Sequence, residues 1–193
     1  MSSELQDTIQ GLSSSNPDRR AGSAAYIQLH WIPIACAAIM EWFNDKELEH
    51  LLGGPERKIT VGVAVERETF AKIRAANGMP PLADVPADQD AEEFELNFDG
   101  GNSLDILTSR TPGGTGAIAR FLAKFGEGIQ QVEFRCGDVD RAAQIVKEKF
   151  GLSPVYPAAR LGADGTRINF FLVANPGGGK ILIELYESAT PGH

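Results

Sequence analysis

The chain has 193 residues, 42% hydrophobic and 23% charged, with a formal net charge of −8. These proportions suit one globular domain or two small tandem modules, with apolar material enough for a core. The acidic balance argues against nucleic acid and membrane surfaces as partners, while leaving room for a small-molecule substrate held by a local Arg/Lys cluster.

The opening MSSELQDTIQ lacks the basic flank and apolar run of a signal peptide. Residues 1 to about 22 are polar and predict a mobile arm, with a short helix over Leu5–Leu12 as the alternative. Tyr26–Ile34 is expected as a strand and Ala35–Leu52 as an amphipathic helix closed by Gly53-Gly54-Pro55. This stretch holds Trp31, Met40, Trp42 and Phe43. It reads as an element packed on the main sheet, with a lid or a dimerisation arm as the sharper readings. The apolar run Ile32 to Met40 is too short to span a bilayer. His30 and His50 have no partner at metal spacing and read as surface or capping side chains. Cys36 and Cys136 lie far apart without CxxC spacing, which predicts two buried thiols in a reducing cytoplasm.

From residue 58 the pattern changes. Ile59–Val65 is a β-branched strand and Glu66–Asn77 a helix ended by Gly78. A loop from Met79 to Asp90 precedes Glu92–Phe98, which alternates Phe94, Leu96 and Phe98 against Glu93, Glu95 and Asn97. A turn at Gly100-Gly101-Asn102 leads into Ser103–Thr108. After the linker Gly113–Gly116, Ala117–Phe125 is a short helix. Ile129–Arg135 is a half-buried strand, and Asp138–Lys149 a helix capped by Asp138 or Asp140 and closed by Gly151. Three more strands are expected at Leu152–Tyr156, Thr166–Val173 and Lys180–Tyr186, the last two joined by the turn Asn175–Gly179. The pattern of one half repeats in the other: strand, helix, strands, and a last strand bearing Asp105 in the first copy and Glu184 in the second. The expected segments are residues 1–57 as arm and extra helix, 58–109 as first module, 110–125 as linker helix, 126–188 as second module and 189–193 as tail.

The stretches AIARFLAKFGEGIQQV and GTRINFFLVANPGGGKILIELYE resemble runs of methylmalonyl-CoA epimerases, "xVAKFLxKxGxGxHHx" and "GxRIxFxHPKxxGGVLIELxx", in the vicinal-oxygen-chelate (glyoxalase-like) superfamily. The resemblance runs from about Lys58 to Glu187. It implies an α+β fold of two tandem βαβββ modules forming a cupped sheet, with the N-terminal strand and helix as an addition, and a homodimer. In that family a divalent metal is held by a histidine on the first strand and a Gln or Glu on the last strand of each module. The first-strand positions here carry Thr60 and Gln131, and the last-strand positions Asp105 and Glu184. The implied ligands reduce to Asp105, Gln131 and Glu184, all offering oxygen, so no cofactor is expected beyond a hard, weakly held cation. The family's two proton-transfer carboxylates fall on Glu184 and Glu95. Thr60, Asn97 and Gln131 are the candidate substrate-binding side chains, as hydrogen-bond donors replacing the metal.

Other chemistry is poorly supported. The Gly-rich turns lack a P-loop or dinucleotide context, and Ser and Cys lack a nucleophile elbow. Arg160, Arg167 and Lys180 read as surface charge, or as a dock for CoA phosphate. The resemblance thus implies a divergent epimerase, isomerase or lyase acting next to the carbonyl of an acyl-CoA or small apolar carboxylate. A metal-free small-molecule binding protein is the alternative, and a structural role of the aromatic N-terminal element a third.

Overall fold

The computed structural model describes residues 3–98 and 103–188. The expected turn at 100–102 and the tail at 189–193 lie outside the described residues. The fold is α+β. The chain packs as two compact units: Met1–Trp31 with Thr60–Gln130, and Ile32–Ile59 with Gln131–His193.

The N-terminal region departs furthest from expectation. Helix α1 spans Ser3–Gly11, and Leu5, Ile9 and Leu12 form a buried stripe at spacings of four and three. The Asn77 side-chain amide donates to the Leu12 carbonyl at 3.0 Å, so the end of α1 is tied down. This stripe is the physical reason that a mobile arm is wrong here. Helix α2, Pro17–Ala38, runs straight through the expected strand. Pro17 suits a first helical position, and Asn16 accepts from the Asp18 N–H at 2.9 Å. Ala24, Ile27, Ala35 and Ile39 are buried at helical spacing. The burial period decides for helix over the expected strand. Pro33 removes one ladder bond where Leu29 and Pro33 are exposed and water can replace it. The expected helix over 35–52 is interrupted by a tight turn at Met40–Asn44, and Asp45 then caps the new helix α3, Lys46–Leu51. The Asp45 carboxylate accepts from Glu47 and Leu48 N–H groups at 3.1 and 3.0 Å.

The first unit carries β1 (Ile59–Ala64), α4 (Arg67–Ala76), β2 (Ala91–Asn97), β3 (Ser103–Ser109) and α5 (Ala117–Phe125). Strand β3 lies between the other two, parallel to β1 and antiparallel to β2. Val61, Val63, Phe94, Leu104 and Ile106 share the buried face, and the Phe70 ring of α4 meets Phe94 at 4.8 Å. The first module of the expected βαβββ pair has an extended stretch in place of its second strand. Ala83 N–H donates to the Glu93 carbonyl there, in a segment whose prolines 80, 81 and 86 lack donors.

The second unit carries β4 (Gly128–Arg135), α6 (Val139–Phe150), β5 (Arg160–Leu161), β6 (Arg167–Ala174) and β7 (Lys180–Glu187), in the order β4-β7-β6-β5. Strands β4 and β7 are parallel, and β6 is antiparallel to β7. Asp138 caps α6 and Gly151, at φ 67°, closes it. The strand expected at Leu152–Tyr156 is irregular, since Pro154 and Pro157 interrupt it. Val155 N–H still donates to the Phe170 carbonyl at 2.8 Å, the fully buried Asn169 side chain pairs with both backbone groups of Tyr156, and β5 forms further on. The α3 region packs in this unit: Trp42 meets the Phe171 ring edge-on at 5.3 Å, and Arg141 and Lys149 of α6 bridge to Glu47 and Asp45. The reading of this segment as a packed element therefore describes it; burying Trp42 and Leu48 contributes roughly 1.5–3 kcal/mol each.

Candidate functional site

In the second unit, strand alternation divides β4 and β7 into two faces. Val132, Phe134, Ile183 and Leu185 fill the core with no exposure. Gln131, Glu133 and Glu184 therefore point to the other face. The parallel register sets Glu133 directly beside Glu184, and the antiparallel register sets Phe170 beside Glu184 on its other side. All three polar side chains are nevertheless buried, at 7%, 6% and 7% exposure for Gln131, Glu133 and Glu184. Buried carboxylates need hydrogen-bond donors. The Gln131 amide nitrogen supplies them, at 2.9 Å to Glu133 Oε1 and 2.5 Å to Glu184 Oε2. Only the NH2 side of the amide can face two carboxylates, because its oxygen would be repelled by both.

Glu133 is absent from the sequence-derived set. Its signal was available: it follows Gln131 by two residues on an alternating strand, and so shares its face. Gln131 was expected to offer a donor to substrate, yet both amide hydrogens go to carboxylates.

In the first unit, the registers Thr60↔Ser103, Asn97↔Ser103 and Glu95↔Asp105 place these side chains on one face of β1-β3-β2. Thr60 and Ser103 are buried at 2% and 1%, Asp105 is half-buried, and Glu95 and Asn97 are exposed. Ser103 Oγ donates to Asn97 Oδ1 at 2.8 Å, which leaves the Asn97 NH2 group to point elsewhere. Ser103, also missed from sequence, is the register partner of both Thr60 and Asn97, so the three form one polar row. A separate cleft of about 240 Å³ in this unit is lined by Arg67, Thr108, Ser109, Pro112 and Leu122, and none of the sequence-predicted residues lines it. Arg67 is already committed there to Glu92 and to the carbonyls of Ser109 and Arg110.

The remaining candidates fall away from these rows. His30 is exposed and stacked on Tyr26 at 5.9 Å, and His50 is exposed on α3. Arg167 pairs with Asp140 and Glu187, Arg160 lies over the Tyr156 ring at 4.7 Å, and Lys180 is exposed. Burial pushes the Cys136 thiol up to about 11. Among the described residues no three His, Cys, Asp or Glu side chains converge as a metal-ligand group. Among the same residues no helix is long and apolar enough to cross a membrane.

No protein-family model matches the chain, and no curated protein matches it. Solved structures do. Methylmalonyl-CoA epimerase from Mycobacterium tuberculosis is 30% identical over 68% of this chain and 87% of its own, with a TM-score of 0.55. A variant of Streptomyces coelicolor methylmalonyl-CoA epimerase, in complex with 2-nitronate-propionyl-CoA, is 30% identical over 70% of this chain and 98% of its own, TM-score 0.55. A methylmalonyl-CoA epimerase in complex with methylmalonyl-CoA and NH4+ is 30% identical over 69% and 95%, TM-score 0.54. With this identity spread over nearly the whole of each of those proteins, the chain belongs to the methylmalonyl-CoA epimerase family, on the vicinal-oxygen-chelate (glyoxalase-like) fold.

Proposed function

We propose that this chain is an enzyme of the epimerase or isomerase type, moving a proton on the carbon beside the carbonyl of an acyl-CoA thioester or small apolar carboxylate. A lyase using the same enolate chemistry falls within this reading. The observation that carries it is Glu184: a carboxylate only 7% exposed, held at one oxygen by an amide at 2.5 Å, on the last strand of a family whose solved members are epimerases. A carboxylate fixed in this way is preorganised as a general base.

In the proposed step Glu184 takes the α-proton. The C–H electron pair moves toward the carbonyl, giving an enolate, and return of a proton to the opposite face inverts the centre without oxidation or reduction. Glu95 is proposed as the second proton-transfer group, and Thr60 and Asn97 as enolate donors, on the strength of the family resemblance. Gln131 is assigned to positioning, because its hydrogens face Glu133 and Glu184. A divalent metal would polarise the carbonyl as a Lewis acid. Thr60, Asp105, Gln131 and Glu184 do not fit zinc, nickel or another metal that favours imidazole, since they offer none and Gln131 turns N–H toward Glu184. The proposed chemistry takes no step through one.

The test is deuterium incorporation at the α-carbon of methylmalonyl-CoA in D2O. Wild type is expected to exchange, and Glu184→Gln to lose about a hundredfold or more in rate while still binding the thioester. Binding without exchange by wild type would replace this reading with that of a binding protein. Unchanged exchange in Glu184→Gln would remove Glu184 from the mechanism.

A further inference from the structure

We propose that Glu133 is a positioning residue for Glu184, acting through the Gln131 amide. The inference rests on the assignment of Glu184 as the base, and it adds a residue that neither the sequence motifs nor the comparisons point to.

The geometry is specific. Glu133 and Glu184 are register partners on adjacent parallel strands, and Gln131 precedes Glu133 by two residues on the same face. A glutamine side chain has three rotatable bonds and loses considerable freedom when held in one rotamer. Against Glu184 alone, its amide could approach from several rotamers and offer either hydrogen. A second acceptor beside the first removes that freedom. One hydrogen goes to Glu133 Oε1 at 2.9 Å and the other to Glu184 Oε2 at 2.5 Å, so the amide plane is set by two points. Glu184 is then held at Oε2 by an amide whose own plane is fixed, which sets the orientation of its carboxylate. With all three side chains less than one-tenth exposed, water cannot readily substitute for either bond.

A carboxylate beside the base would otherwise be a poor choice, because like charges side by side in a buried setting oppose folding. Apolar residues fill the other face of these strands, and an apolar residue at position 133 would avoid that cost. The amide bridge explains its presence: Glu133 supplies the acceptor that orients the donor.

The experiment uses the full chain and two readouts. The first is kcat and KM for α-deuterium exchange of methylmalonyl-CoA in Glu133→Leu, Gln131→Leu, the double variant and Glu133→Gln. The second needs no turnover: solvent exchange and chemical shift of the Gln131 side-chain NH2 protons by NMR. Glu133→Leu is expected to lower kcat on the order of tenfold to a hundredfold with KM little changed, since the base is misaligned rather than removed. Gln131→Leu should match it, and the double variant should lose no more than the worse single. Glu133→Gln, whose amide oxygen can accept the same bond, should recover most of the loss. The Gln131 protons should be protected in wild type and in Glu133→Gln, and exposed to exchange in Glu133→Leu.

Wild-type kcat in a folded Glu133→Leu, or losses that multiply in the double variant, would overturn the proposal. If Glu133→Leu fails to fold, a Gln131→Leu variant with unchanged kcat overturns it equally. If wild type exchanges no deuterium, the assignment of the reaction falls, and the NMR readout alone decides the clamp: Gln131 protons unprotected in wild type would refute it.

Discussion

Asn169 offers a prediction that can be worked from the structure. Its side chain is fully buried in β6 and makes three bonds: to the Tyr156 carbonyl at 3.0 Å, from the Tyr156 N–H at 3.1 Å, and from the Phe170 N–H at 2.9 Å. Together the first two hold Tyr156 to β6, beside the Val155 N–H bond to the Phe170 carbonyl at 2.8 Å, where Pro154 and Pro157 interrupt a regular ladder. Asn169→Ala removes all three. Because Tyr156 is half-buried, water reaches part of what is left, so each lost bond costs near the net value of about 1 kcal/mol rather than a full desolvation penalty. The sum is about 2–3 kcal/mol, which for a chain of this size lowers Tm by roughly 5–10 °C. The effect should extend to function, since the Tyr156 ring meets Phe170 edge-on at 6.0 Å and Phe170 is the register partner of Glu184. Calorimetry at fixed pH, with urea unfolding as a second measure, checks the magnitude. A Tm within 2 °C of wild type would refute the idea that Asn169 holds Tyr156 to β6. Asn169→Asp should be worse than Asn169→Ala at neutral pH, because it places an unneutralised carboxylate at a fully buried position.

Two further predictions concern titrating groups. The Lys149 ammonium, and then the Leu48 N–H, hold the Asp45 carboxyl below its ordinary range. A depressed carboxyl contributes stability that is complete above its unfolded value, about 3.9, and is lost as pH falls through the folded value. The stability gap between wild type and Asp45→Ala, measured by denaturant unfolding, should be full at pH 6 and close toward pH 3; a gap independent of pH would show that the cap contributes through shape alone. Cys136, with its thiol pushed up to about 11 chiefly by burial, should hold roughly a hundredfold less thiolate at pH 7.5 than an ordinary cysteine. Labelling of the native protein with a disulfide reagent should therefore reach Cys136 far more slowly than a free thiol, and equal rates would contradict the burial.

Much of this protein was determined locally. The helices over 67–76, 117–125 and 139–150 follow from apolar spacing plus a nearby cap or glycine, and the alternation of Glu92–Phe98 and Ile129–Arg135 assigns their faces. That alternation by itself puts Glu95 and Asn97 on one side. Tertiary structure decided the rest. Whether Leu5, Ile9 and Leu12 make a helix depends on something to bury them, since an isolated nine-residue helix is marginal in water. Whether Tyr26–Ile34 is strand or helix depends on which neighbours cover Ile27 and Ala35, and β-branched residues go either way when packing selects. The Gln131–Glu133–Glu184 cluster is a matter of register: residues 51 apart in the chain become neighbours only when β4 and β7 pair in parallel with Glu133 beside Glu184. A shift of one residue would turn Glu184 into the core, so the hydrophobic face enforces the register and the register creates the site. Sequence alone named the carboxylate; the pairing of two strands gave it an amide to hold it and a second carboxylate to hold the amide.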